Sequence, residues 1–280
     1  MRNLIASTNV ILVALILCNC ENSNFQAIQQ NEESQEYNTE LETDPDSVRV
    51  VPLPPHIDSL LNLDFIRGRF EPSKHPQFER VDDRYTDGDG SYYLHRDAYS
   101  AFRKMHKAAA TDGIDLFIIS ATRNFNRQKT IWEAKWRGQR LLEGRDKANV
   151  VYPDPVERAL AILRYSSMPG TSRHHWGTDL DINSLNNRYF KSGQGEKVYN
   201  WMVAHAAEHD FCQTYTAGRP YGYQEERWHW SYLPVAQPLT EYAKANAKDS
   251  DIEGFEGAET AEEIKVVERY ILGINHVCLE

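Results

Sequence analysis

The stretch TSRHHWGTDLDINS, residues 171–184, packs two histidines and two aspartates into the eight positions from His174 to Asp181. Imidazole nitrogens and carboxylate oxygens are ligand atoms that zinc accepts. The same letters also read as a polar loop running into a short strand. In GTDLDI the apolar and polar residues alternate, so Leu180 and Ile182 point to one face and Asp179 and Asp181 to the other. Alternation separates neither the two aspartates nor His174 from His175. Any further ligand has to come from elsewhere in the chain.

At 280 residues the chain is long enough for one large domain with a sizeable core. Its formal net charge is -10 and it has no basic cluster, which argues against a nucleic-acid partner. After Arg2 comes the apolar run VILVALIL (10–17), too short for a stable spanning helix and suited to an export signal. LCNC (17–20) follows it. A cysteine there is similar to a bacterial lipoprotein signal, although Asn19 and Leu17 stand where a small residue is usual. Residues 1–20 are therefore expected to be a signal peptide, with export to the cell envelope or periplasm and a lipid anchor at Cys20 or Cys18. Simple secretion is the alternative. Residues 21–55 are acidic and polar without periodicity, as in a disordered linker, and PLPP (52–55) marks its end. Residues 56–280 read as one domain, expected to be monomeric, meeting a membrane only through the lipid. An oxidising compartment permits a Cys212–Cys278 disulfide, but two buried thiols fit equally well.

Within the domain, HRDAYSAFRKMHKAAATDG carries Ala98, Ala101, Phe102, Met105, Ala108 and Ala109 on one helical stripe ending at Gly113. IDLFIIS (114–120) reads as a buried strand and 124–136 as the next helix. Residues 154–165 start a helix with Asp154 as N-cap and Pro155 at the first position. A helix over 196–211, an aromatic strand over 226–232 and a helix over 260–273 follow. Few, short, interspersed strands indicate an α+β fold with a small, mostly antiparallel central sheet and flanking helices.

Two patterns compete for a metal. HAAEH (205–209) has the H-x-x-E-H form of the inverted zincins, with His205 and His209 one helical turn apart. It lacks a downstream glutamate ligand at the expected distance, and Val198, Trp201 and Met202 on the same stripe explain it as a half-buried core face. DGDG (87–90) lacks the spacing of a calcium loop and reads as a polar turn.

The second pattern joins SRHHWGTDLD, of the form S-x-H-x-x-G-x-x-x-D, to ERWH (226–229), of the form E-x-W-H. Together they resemble the VanY-type zinc D-alanyl-D-alanine carboxypeptidases, in the group that includes lysostaphin-like enzymes and hedgehog domains. The resemblance spans roughly residues 60–235. It implies one Zn²⁺ per chain held by His174, Asp181 and His229, with Glu226 as the catalytic general base. It leaves His175 as a surface or wall residue and the role of Asp179, often a small residue in the family, open. SATRNFNRQ (120–128) leaves a strand and enters a helix; by resemblance Arg123 is catalytic and substrate-binding, and Gln128 and Ser172 are substrate-binding. Trp228 and Trp230 would face the core and hold His229 rigid. The implied activity is removal of C-terminal D-alanine from peptidoglycan stem peptides, D,D or L,D. An endopeptidase and a zinc-retaining binding module are the alternatives.

Overall fold

The computed structural model describes residues 57–88 and 90–279, so the signal, lipid and linker readings, and Asp89 of the DGDG turn, lie outside the described residues. A two-stranded antiparallel ribbon, β1 (Phe78–Arg80) with β2 (Tyr93–His95), precedes the main sheet. That sheet holds β3 (Ile118–Ser120), β4 (Asp179–Ile182), β5 (Phe211–Gln213) and β6 (His229–Tyr232) in the order β3-β4-β6-β5, antiparallel throughout. The expected α+β class and small antiparallel sheet are present.

The helices form where their sequence signals stand. In α1 (Arg96–Thr111) Ala98, Ala101, Phe102, Met105 and Ala109 are buried on one stripe. α2 (Phe125–Trp136) begins at Asn124, whose side chain accepts the Arg127 N–H at 2.9 Å. α3 (Pro155–Ile162) begins at Asp154, which accepts the N–H groups of Val156 and Glu157 at 2.9 Å. These caps satisfy donors that the first turn leaves open.

Two of the expected helices need correction. The α-helix over 196–211 is α4 (Gly193–His205); it tightens into a 3₁₀ turn over Ala206–His209, and Phe211 starts β5. The helix over 260–273 is broken: Ala261–Ile264 is followed by Lys265 at φ 59° and a π-helical turn, Val267–Ile271. The second piece is capped from afar, because Asp249 accepts the Val267 N–H at 2.7 Å. Sequence reading also passed over α5 (Leu233–Asn246), which carries Pro238 inside it.

β4 and β6 pair Asp179 with Ser231, Leu180 with Trp230 and Asp181 with His229. Side chains alternate across a strand. Leu180, Ile182, Trp228 and Trp230 therefore join the apolar core with Phe102, Met105 and Phe211, and the polar residues gather on the other face. A second cluster, including Trp132, Trp136, Tyr223 and Tyr270, packs α2 and α3 against the C-terminal segment. Cys212 of β5 and Cys278 form a disulfide that ties that segment to the sheet.

Candidate metal centre and active site

One turn and two strands bring the metal-facing residues together. Arg173–Trp176 forms a 3₁₀ turn that ends at Gly177 with φ 72°. A Cβ on Gly177 would collide with the Phe78 ring and come within 2.9 Å of the His95 backbone nitrogen. Only glycine combines that left-handed backbone with so close an approach. The turn puts His174 beside Asp181 of β4, and register puts His229 of β6 opposite Asp181. The ligand atoms of His174, Asp181 and His229 lie within 4.8 Å of one another and all three residues are buried. This is the one such group among the described residues.

Hydrogen bonding fixes both ring orientations. His174 Nδ1 lies 2.8 Å from Ala121 O, and a carbonyl can only accept, so Nδ1 carries the proton. His229 Nε2 lies 2.7 Å from Asp179 Oδ2 and donates to it. Each ring thus turns its other nitrogen, His174 Nε2 and His229 Nδ1, towards Asp181. Asp181 Oδ1 lies 3.4 Å and 3.0 Å from them, yet makes no well-directed hydrogen bond. The short distances without bond geometry mean that the three lone-pair atoms address shared space rather than each other.

Gathering lone pairs in a buried place is unfavourable until a positive charge joins them. The electrostatics say the same. Burial alone would raise the Asp181 carboxyl, but His174 and His229 hold it far below the ordinary carboxylate range. Burial alone would lower His229, but its hydrogen bond to Asp179 and the negative charge of Asp181 beside it push it up to about 9. Burial, then the Arg123 charge, lowers His174. The donor set is two imidazoles and one carboxylate, which suits a zinc centre with a position left open.

Glu226 is buried just before β6, with Oε2 3.6 Å from His229 Nδ1. Its burial pushes the carboxyl up to about 8; His229 opposes this shift and Asp181 adds to it. A cavity of about 940 Å³ opens onto these groups and is lined by Arg123, His174, Asp181, Glu226 and His229 together. Arg123 donates through Nη1 to Ser120 Oγ at 3.2 Å, while its buried Nε has no hydrogen-bond partner, so the guanidinium retains donor capacity. Lys135, Arg140, Arg145 and Arg188 also line the cavity. Lys135 donates to Ser166 Oγ at 2.6 Å, and burial, then Arg140 and Arg123, lowers it to about 8.

Gln128 and Ser172 are buried but are not among the cavity-lining residues. Gln128 Nε2 donates to the carbonyl of Ser167, itself a lining residue, at 2.7 Å. Ser172 Oγ has no hydrogen-bond partner, and the Ser172 carbonyl accepts the His175 N–H at 3.0 Å. His175 is no surface or wall residue: it is fully buried and braces the turn. Its Nδ1 donates to Arg123 O at 2.5 Å and its Nε2 accepts the Gly170 N–H at 3.0 Å. Burial holds it neutral, down to about 3.

The rival pair comes apart. His205 ends α4 and His209 lies in the 3₁₀ turn, where four residues advance the chain by about one and a third turns, so the rings do not stack. His205 faces Glu208 at 3.2 Å instead. Several residues around the site fill no defined position of a sequence motif: Arg173, Thr178, Ser231 and Thr240, all buried behind it, and Tyr215, which lines the cavity with its ring centroid 4.5 Å from that of His229. Only Arg173 and Thr178 carried any signal, by adjacency to the motif.

Comparison with known proteins gives a consistent setting. Residues 91–235, more than half of the chain, match the VanY family, described as D-alanyl-D-alanine carboxypeptidase. A Bacillus subtilis (strain 168) protein, YodJ, provisionally named a carboxypeptidase, is 26% identical over 222 residues, covering 75% of this chain and 71% of that protein. Among solved structures, a mutant of the vancomycin resistance D,D-pentapeptidase VanY in complex with Zn(II) is 20% identical, covering 68% of this chain and 92% of that one, with a TM-score of 0.43. The LD-carboxypeptidase LdcB is also 20% identical, covering 70% and 81%, with a TM-score of 0.46.

Proposed function

Because the chain belongs to the VanY family of D-alanyl-D-alanine carboxypeptidases, we propose that it is a zinc-dependent enzyme that removes the terminal D-alanine from peptidoglycan stem peptides, with one zinc per chain. The observation that carries this reading is the convergence of His174 Nε2, Asp181 Oδ1 and His229 Nδ1, three buried lone-pair atoms on one cavity wall. These residues would hold the ion. When bound, zinc supplies Lewis acidity, bringing water to a pKa of about 7 and polarising a carbonyl.

Glu226 is the proton carrier. Its carboxylate takes a proton from the attacking water and hands it to the departing amine nitrogen of D-alanine. Burial favours this role, because a carboxylate poorly solvated by water holds a proton more readily than an exposed one. Arg123 reaches the same cavity with unused donor capacity, and its planar fork suits either the substrate's carboxylate or the oxyanion that develops at the scissile carbonyl. Gln128 acts at one remove by fixing Ser167, and Ser172 by holding the turn that bears His174. Lys135 and Arg140 add positive charge to the cavity, which favours an anionic peptide terminus. Peptidoglycan lies outside the cytoplasmic membrane. The proposed substrate thus agrees with export and a lipid anchor at Cys18 or Cys20, for which acyl mass on either cysteine is the check.

The test compares purified pentapeptide and tetrapeptide stems by mass, each as free acid and as C-terminal amide. Loss of one D-alanine from the free acids, with the amides sharply slower, supports the proposal and tells D,D from L,D action. Equal cleavage of acid and amide, or an internal cut, shows that the terminal carboxylate is not read and favours the endopeptidase.

A further inference from the structure

Asp179 stands two residues before a ligand, on the same face of β4, and is completely buried. A carboxylate has about four good acceptor positions, and here all are used. Oδ1 accepts from Thr178 Oγ1 and Ser231 Oγ, both at 2.7 Å. Oδ2 accepts from His229 Nε2 at 2.7 Å and from Arg173 Nε at 3.3 Å. Arg173 is equally buried. It donates to Thr240 Oγ1 at 2.8 Å and to Ser231 Oγ at 3.3 Å, and lies 4.5 Å from the centre of the Trp176 ring.

An ion pair taken out of water is costly, and apolar residues of similar volume generally serve stability as well or better. Bolting the Arg173–Trp176 turn to the sheet would not by itself call for one. What the pair does that an apolar substitute could not is hold a negative charge against the rear nitrogen of His229. The other ring, His174, is held by the neutral carbonyl of Ala121. A carboxylate behind a ligating imidazole fixes its tautomer and strengthens its electron donation. Arg173 holds the carboxylate in place through Nε at 3.3 Å and is itself met by Thr240 of α5, beyond the segment that matches the family.

We propose that Asp179, held by Arg173, is a positioning residue for the metal centre, presenting His229 through Nδ1 and tightening zinc binding. The inference rests on the zinc reading above. Its test is the zinc dissociation constant, measured by competition with a chromophoric chelator, beside the unfolding temperature of the metal-free protein. Asp179→Asn alone leaves Arg173 buried and uncompensated, so Arg173→Gln/Asp179→Asn, which removes both charges and keeps a polar side chain at each position, is the decisive variant. Its zinc dissociation constant should rise about 10–100-fold. A folded double variant that binds zinc within threefold of the natural protein overturns the proposal and leaves a purely structural pair. Should neither variant fold, the natural protein answers the question by nitrogen NMR with ¹¹³Cd in place of zinc. Coupling of the cation to His229 Nδ1, with a retained proton on Nε2, is expected; coupling to Nε2 overturns the proposal. A natural protein that binds no zinc sinks the underlying reading instead, so the two failures are distinct.

Discussion

Replacing Glu226 by glutamine removes a buried titratable group while keeping the shape of the side chain and the backbone bonds around it, Glu226 N–H to Tyr215 O and His229 N–H to Glu226 O. Two effects of opposite sign follow. In the zinc-loaded enzyme, turnover should fall by about two to four orders of magnitude, the usual worth of a general base. That corresponds to about 3–5 kcal/mol of barrier. In the metal-free protein the substitution should stabilise. Burial lifts the Glu226 carboxyl from 4.5 to about 8, so the folded state holds its proton more tightly than the unfolded chain. A raised acid costs stability as pH climbs from 4.5 towards 8, and the whole cost is present above that. Linkage puts the gap between variant and natural protein at roughly 4 kcal/mol near pH 8 and below about 1 kcal/mol at pH 5. Urea unfolding of both proteins with chelator present, at the two pH values, reads the difference directly. A gap that does not widen with pH would refute the buried-carboxyl argument. Near-normal turnover in a metal-replete Glu226→Gln enzyme would show that the base has been misassigned.

Three further outcomes are expected. His174→Ala, Asp181→Ala and His229→Ala should each abolish tight zinc binding in metal analysis, whereas His205→Ala and His209→Ala should retain it; the reverse pattern would restore the inverted zincin. Gly177→Ala should cost about 2–4 kcal/mol in urea unfolding, from a left-handed alanine plus a clash with the Phe78 ring and the His95 backbone, and a loss below 1 kcal/mol would mean that the turn adjusts freely. Cys212→Ser/Cys278→Ser opens a loop of 66 residues and should lose about 4 kcal/mol by chain entropy; an unchanged denaturation midpoint in oxidising buffer would contradict that role.

The letters of the chain carried the site further than they carried the fold. His174, Asp181, Glu226 and His229 fall in two short motifs of fixed spacing, and the structure brings them together with Arg123 at one cavity. Strand alternation correctly set Leu180 and Ile182 against Asp179 and Asp181, because the period of two is a local property. It could not say what Asp179 touches, since Ser231 and Arg173 meet it through strand register and a turn. His175 was misplaced for the same reason: its partners, Arg123 O and Gly170 N, come from separate loops. The C-terminal helix was overextended because Lys265 adopts a left-handed conformation that no glycine announces, and Asp249 caps the piece beyond it from outside the window. In α5 the interior Pro238 masked a helix that tertiary packing of Val235, Leu239 and Ala243 sustains.

Because Asp181 faces His229 and Asp179 faces Ser231 on one side of two antiparallel strands, the centre is inherited as a phase as much as a set of residues. Deleting one residue within β4 or β6 would turn the charged side of that strand into the core and the tryptophans or aliphatics towards the cavity. No point substitution elsewhere could undo such an inversion. Only the connection between Ile182 and Glu226 is under a weaker constraint, since its length can change without altering which residues of β4 and β6 share a face. A centre built this way can drift in composition around its ligands over long descent, yet it cannot lose count.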